Sequence, residues 1–373
     1  MQTSSENITR VQQKSASDLS TLMQEVLTCA KNHGATNASV AVNHDEGYSV
    51  DVRMREVETV SFNEDKGVAV VVYIGHRKGA ASSTDVSPEA INALVKAACD
   101  IAKVSAEDTC FGLADKELMT THYPDLNLYH PWAITPPEAI EMALACENHA
   151  LAMDKRIANS DGVNVSTYNF IHAFANTHGG QGTIQGSRHS VSCSLIAKAG
   201  ESMQRDYDYT TSRQANDLID LKQLAESAVL RATSRLGARK INTQKAPVLF
   251  SSRVSSGILS SFLNAVSGSN LYRRNSFLLD SLGQQIFPSA FKIYEQPYLL
   301  KGLGSSPFDG EGVPTRNNVF VEDGRLQQYV MSSYSARRMG IATTANSGGV
   351  HNLTLDPTAG NLNDLIKTMD TGL

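Results

Sequence analysis

Residues 162–213 read GVNVSTYNFIHAFANTHGGQGTIQGSRHSVSCSLIAKAGESMQRDYDYTTSR, and the fold turns on them. Apolar and polar residues alternate along this stretch, as half-buried strands require, and Gly179, Gly180, Gly182 and Gly186 mark where the alternation should break, so it reads as a β-meander. Its flanks are helical. Upstream, Thr135 with Glu138 three residues on forms a capping box with Pro136 at the first helical position, and the helix should run to about Asp154. Downstream, a helix over roughly 217–236 should stop at Gly237.

Two linker-like stretches bound this central part, which spans residues 116–240. THYPDLNLYHPW (121–132) is rich in Pro, Asp and aromatic residues, and ARKINTQKAP (238–247) is polar and basic. The preceding part, residues 1–115, opens with a helix over roughly 17–32, whose Leu19, Leu22, Met23, Val26, Leu27 and Ala30 form an apolar stripe ending at Gly34; the first fifteen residues read as a frayed end. Strand-like alternation follows over 39–84, with turn clusters at His44–Gly47 and Asn63–Gly67. Ser87 then caps a helix with Pro88 at its first position, burying Ile91, Leu94, Val95, Ala98 and Ile101. Helix, strands, helix is an α/β unit within an α+β chain.

The third part, residues 241–373, should be mostly antiparallel β. It opens with a strand, PVLFSS (247–252), and a helix containing SSFLNAVSGSNLYRRNSF (260–277). Val254, Ile258, Phe262, Ala265 and Val266 give that helix one apolar face, while Ser260, Ser261, Asn264 and Ser267 occupy the other. Stretches 276–288 and 293–333 carry strand and turn signals, of which Asp323-Gly324 is the clearest hairpin turn.

Composition narrows the chemistry. The chain has 373 residues, 41% hydrophobic and 19% charged, as expected of two or three folded domains. A net charge of −5 and a pI near 6.1 set a field that repels nucleic acid. Five scattered cysteines (Cys29, Cys99, Cys110, Cys146, Cys193) lack zinc spacing and read as reduced thiols. No apolar run reaches the roughly 18 residues of a membrane span and no signal peptide opens the chain, so the location reads as cytoplasmic.

Candidate sites each carry a bland alternative. Of His172, His178 and His189, the first two share one strand face only if no turn intervenes, and Gly179-Gly180 argue that one does, so all three read as ordinary strand and loop histidines. His33 suits a helix end. From residue 240 onward there is one histidine, His351, and no cysteine, too few for a zinc centre. The third part also lacks Gly-x-Ser-x-Gly, and GLGSSPFDGEG (302–312) lacks the frame of a phosphate loop. Asp309 and Glu311 form either a catalytic carboxylate pair or a solvated turn, and Arg273 and Arg274 either clamp a carboxylate or lie on the surface of a helix end. Gly302, Gly304 and the Asp309-to-Gly312 turn, with Glu311, offer accessible backbone for peptide or partner contact.

Four segments resemble the PmbA/TldD family, and within it the PmbA (TldE) branch described as a peptidase and as a modulator of DNA gyrase. They are VETVSFNEDKGVAVVVYIGHRKGAASSTD (57–85), SGSNLYRRNSFLLDSLGQQIFP (267–288), PYLLKGLGSSPFDGEGVPT (297–315) and VFVEDGRLQQYVMSSYSARRMGIATTANSGGVHN (319–352). The likeness extends from about residue 20 to the end. It implies a cytoplasmic bacterial protease built from two homologous chains, a TldD-type subunit and a PmbA-type subunit, that degrades unstructured peptides and processes peptide antibiotics and antitoxins. It also implies that the TldD branch binds zinc through His-Glu-x-x-x-His on the helix corresponding to this one. Here that motif's place is taken by Leu263, Asn264 and Gly268, which cannot ligate zinc, so no catalytic or metal residue carries over. The resemblance therefore makes this the non-catalytic member of a dimer, with zinc in its partner; the alternative is a protein-binding regulator without proteolytic role. Family chains run several tens of residues past the point reached by Leu373, so the C-terminal domain is expected to be incomplete.

Overall fold

The computed structural model describes residues 3–357, 360–369 and 371–373, with side chains from residue 18 onward. The first element, α1 (Thr3–Asn32), is longer than its apolar stripe predicts. No glycine or proline interrupts residues 3–32, so the helix continues through the polar stretch expected to fray. Three antiparallel strands follow: β1 (Asn37–Arg53), β2 (Glu56–Ile74) and β3 (Arg77–Ser83). Helix α2 (Pro88–Val104) starts at the Ser87 cap; Ile91, Leu94, Val95 and Ala98 are buried as expected, whereas Ile101 is exposed.

The turns expected at His44–Gly47 and Asn63–Gly67 do not exist. These stretches lie opposite one another in a continuous ladder, with His44 facing Lys66 and Gly47 facing Asn63. Their glycines clear space: a Cβ on Gly47 would sit 2.5 Å from the Tyr168 ring, and one on Gly67 2.7 Å from Asn43 Oδ1. The chain reverses instead at Met54-Arg55, both left-handed (φ 50° and 68°), a conformation that disfavours residues with a Cβ. A buried carboxylate holds it there. Glu147 accepts the Met54 N–H at 2.9 Å and the Arg55 N–H at 2.6 Å.

Glu147 belongs to α3 (Pro136–Met153), whose N-terminus carries the predicted capping box. After it come β4 (Ile157–Asn176), β5 (Gln181–Ala199), β6 (Ser202–Ser212) and α4 (Leu221–Ser234). The meander turns at 177–180 and again at 200–201, and β5 passes straight through Gly182 and Gly186. Those two glycines make room for rings: a Cβ on Gly182 would lie 2.6 Å from Phe308, and one on Gly186 2.3 Å from Phe170. Strand β1 also pairs with β4, from Ser39↔Asn176 to Val52↔Val163. One six-stranded antiparallel sheet, in the order β3-β2-β1-β4-β5-β6, thus runs through the first two parts of the chain.

On β1, Val40 and Val42 join the core under α1 and α2, while Val50 joins the core under α3 and α4. Even spacing along one strand puts both helix pairs on the same face of the sheet. The other face receives the third part, where Phe174 of β4 meets Phe308 at 5.5 Å between ring centroids.

In the third part, the stretch 247–251 forms no strand; Leu249 N–H donates to the Leu373 carbonyl and Leu373 N–H to the Pro247 carbonyl, while Ser251 opens the helix that follows. Helix α5 (Ser252–Ala265) and the short α6 (Gly268–Tyr272) follow. Val254 and Ile258, expected in the buried face, are exposed, and the helix touches the core only from its C-terminal end. Strands β7 (Ile293–Glu295), β8 (Val319–Glu322) and β9 (Arg325–Leu326), helix α7 (Ser333–Met339) and strand β10 (Leu353–Leu355) complete a second antiparallel sheet in the order β10-β7-β8-β9, before α8 (Leu362–Met369). Asp323-Gly324 makes its hairpin with both residues left-handed, as predicted. The fold is α+β, with a second sheet of short strands joined by long irregular segments.

Candidate functional site

The stretch that the sequence resemblance sets against the zinc motif of the TldD branch, residues 263–268, lies where α5 ends and α6 begins. Backbone closure at Val266, whose N–H meets the Asn264 and Phe262 carbonyls, stops α5 before Ser267. Leu263 and Gly268 therefore sit on two different helices, not on one helix as the sequence suggested. Leu263 is half-buried against the C-terminal core. The Asn264 amide oxygen and backbone carbonyl each accept from Asn270 Nδ2 at 2.8 Å, and the Ser267 hydroxyl donates to the same carbonyl at 2.9 Å. Gly268 is buried, and a Cβ there would lie 2.3 Å from Ser335 Oγ and 2.7 Å from Met331 Sδ. Its N–H donates to the Val330 carbonyl at 2.8 Å, while Val330 N–H donates back to Val266 at 3.0 Å. This junction offers packing, amide and hydroxyl groups, and a side chain at position 268 would have to displace Ser335 and Met331.

Ser335 belongs to α7, and this helix ties the junction to everything around it. Glu311 accepts the Ser333 N–H at 2.9 Å, at the start of α7. Asp309 shapes the turn that presents Glu311: its Oδ1 accepts from the Glu311 and Val313 N–H groups at 2.9 and 3.0 Å, and its Oδ2 from Ser347 N–H at 3.0 Å. Burial pushes the Asp309 carboxyl up to about 6, with the Ser347 N–H working against that rise and the Glu311 charge adding to it. The expected solvated turn is thus a buried one, because three backbone donors replace the water a carboxylate would otherwise need. Gly312 (φ 79°) completes it, with no space for a Cβ against the Phe174 ring. Beside the turn, a cavity of about 250 Å³ opens between sheet and third part, lined among others by Tyr73, Lys78, Glu311 and Ser347. Burial, reinforced by the Glu311 charge, raises Tyr73 to about 12, so its hydroxyl stays neutral at ordinary pH.

Other sequence candidates fall elsewhere. Gly302 and Gly304 lie against Asn352, which accepts the Gly304 N–H at 3.0 Å. Arg273 and Arg274 are exposed at the end of α6; Arg273 lies over the Tyr272 ring at 5.4 Å, and neither pairs with a carboxylate among the described residues. His172 meets Asp45 at 3.3 Å, His178 meets the Ala114 carbonyl at 2.8 Å, and His189 is buried between Thr167 and the His130 carbonyl. Among the described residues, no three His, Cys, Asp or Glu side chains gather as a metal ion would need.

The sequence did not single out Arg337, Tyr334 or Glu295. Arg337 donates to the Cys110, Gly112 and Leu113 carbonyls and to Asp115 at 2.8 Å, and Tyr334 donates to Asp108 at 2.8 Å, so α7 grips the segment following α2. Glu295 is fully buried and accepts from Asn318 at 2.6 Å, Asn346 at 2.8 Å and His351 N–H at 2.7 Å. The serine capping box of SSYSARRMG is a local signal for this helix, left unused in the reading of the sequence above; nothing local signals what the helix holds.

This arrangement belongs to a known class. Residues 38–102, 129–236 and 243–373 match domain 1, the central domain and the C-terminal domain of the PmbA/TldA metallopeptidases, so the chain belongs to that family, the PmbA/TldD family of the sequence resemblance. It is 43% identical to Metalloprotease PmbA of Escherichia coli O157:H7 over 347 residues, 93% of this chain and 76% of that protein. A Metalloprotease TldD homolog of Haemophilus influenzae is 23% identical over 302 residues, 77% of this chain and 61% of that protein. A crystal structure from Bacteroides thetaiotaomicron, described as a modulator of DNA gyrase, superposes with a TM-score of 0.87 at 27% identity, covering 94% of this chain and 80% of that one. No described helix is long and apolar enough to cross a membrane.

Proposed function

We propose that this chain is the non-catalytic subunit of a two-chain cytoplasmic zinc peptidase, pairing as a dimer with a homologous TldD-type subunit and helping to hold unstructured peptides for cleavage there. Neither nucleic acid nor membrane is part of this reading. The supporting observation is the filled position at Gly268: the place of a second zinc-binding histidine is occupied by Ser335 and Met331, while Leu263 and Asn264 supply no ligand. A metal-activated water has no support at this junction. The zinc belongs to the partner, and the work of this chain is binding and positioning. An unfolded peptide would be held through its backbone as an added strand, a mode that favours unstructured substrates over folded ones.

The test is an assay of a fluorescently labelled random-coil peptide with the purified chain, with a TldD-type subunit, and with both, each with and without chelator. Cleavage should appear with the mixture at rates neither chain reaches alone, and chelator should abolish it. Zinc-dependent cleavage by this chain alone would overturn the proposal. No cleavage under any condition would overturn it too, in favour of a protein-binding regulator.

A further inference from the structure

Strand β6 accompanies β5 only from His189 to Ala199. Earlier along β5, the connector between the first two parts of the chain lies beside the open edge and touches it at two points: Gln181 N–H donates to Thr120 at 3.2 Å, and Ser187 N–H donates to Leu128 at 3.0 Å. Alternate residues of a strand aim their backbone groups to the same side, so Thr183 and Gln185 aim the same way as Gln181 and Ser187. Among the described residues, neither of these two N–H groups has a hydrogen-bond partner. They face a cavity of about 450 Å³, walled by the connector from Tyr123 to Tyr129, by Thr183–Gln185 and by Pro307.

We propose that this cavity is a binding site for about three residues of extended peptide, which would pair with Thr183 and Gln185 as a short strand between the two connector contacts. Three observations select that ligand class. The unmet groups are neutral backbone donors and acceptors, about 6.8 Å apart along β5, which is the two-residue repeat of any extended chain. No Lys, Arg or His lines the cavity, so a phosphate or nucleotide finds no countercharge. The volume lies within the range of small-ligand pockets, and its walls carry Tyr123, Tyr129, Pro124 and Pro307. The inference rests on the peptide-holding reading above and names where on this chain the holding occurs.

The test uses the whole 373-residue chain, isotope-labelled, with acetyl-Val-Thr-Val-methylamide as probe at millimolar concentration. The amide signals of Thr183 and Gln185 should shift and their hydrogen exchange should slow. A fully N-methylated version of the probe, unable to donate backbone hydrogen bonds, should bind at least tenfold more weakly. Thr183→Pro removes an outward N–H without touching the β4–β5 ladder, and should weaken the parent probe to the same degree. Equal binding of both probes to the unaltered protein, or shifts confined to another surface, overturns the site whatever the variant does. Probe binding without cleavage by the two-chain mixture would sink the peptidase reading and leave the site standing; cleavage without probe binding here would do the reverse.

Discussion

Asp309 holds a carboxyl in a place that water does not reach, and its titration should be visible in stability. The group's pKa is about 6 in the folded chain against 3.8 unfolded, so between these values the folded state binds more protons than the unfolded one. Stability must then fall as pH rises through that window, by up to about 3 kcal/mol. Denaturation of the wild type and Asp309→Asn between pH 4 and 7.5 should show the wild type losing ground relative to the variant as pH increases. A constant difference would contradict this origin of the shift. Gly268 makes a different demand. Gly268→Ala should cost about 1–3 kcal/mol through overpacking against Ser335 and Met331, measured by urea unfolding. Restoring a metal motif at 263, 264 and 268 should for the same reason destabilise the chain and yield no stoichiometric zinc by elemental analysis; a stable, zinc-loaded triple variant would refute the packing argument.

At the scale of elements, the sequence was legible wherever a signal and its effect lie within a few residues. Ser87 before Pro88, Thr135 with Glu138, and Asp323-Gly324 each act on their own backbone, and each appears as read. The hairpin turn at Met54-Arg55 was not legible, because its stabiliser, Glu147, is 92 to 93 residues away. Glycines misled for a related reason: Gly47, Gly182 and Gly186 clear space for rings from other segments, and in a sequence such a glycine looks the same as one that turns the chain. At the candidate site, the residue types at 263, 264 and 268 stand in the sequence itself, whereas the break between α5 and α6 and the Ser335 packed against position 268 depend on tertiary packing. Glu147→Ala leaves two turn N–H groups without their acceptor and should cost about 1–3 kcal/mol by denaturation, with Glu147→Gln losing less. Arg337→Ala should cost about 2–3 kcal/mol and speed amide exchange over residues 105–116, since α7 would lose its hold on that segment. Arg337→Lys should recover little of this, because an ammonium cannot reproduce the guanidinium fork. Unchanged exchange in Arg337→Ala would show that the grip is incidental.

At the scale of the whole molecule, the long β1–β4 ladder joins two stretches that sequence alone set apart, each with its own helices and its own apolar core. Nothing in local composition marks such a union, since strand pairing between distant segments leaves no trace in either one. Each stretch therefore carries half of an edge. Residues 1–115 expressed alone would expose the β1 backbone over the whole length that β4 now covers, and should be recovered as aggregate; a soluble, monomeric fragment with cooperative unfolding would contradict this. Proteolytic nicking of the intervening connector, by contrast, should leave both pieces eluting together, because main-chain bonds and not the covalent link hold them in register. The partition into modules is then a property of the sequence more than of the mechanics: this molecule can lose its thread between β3 and β4 and still remain one body.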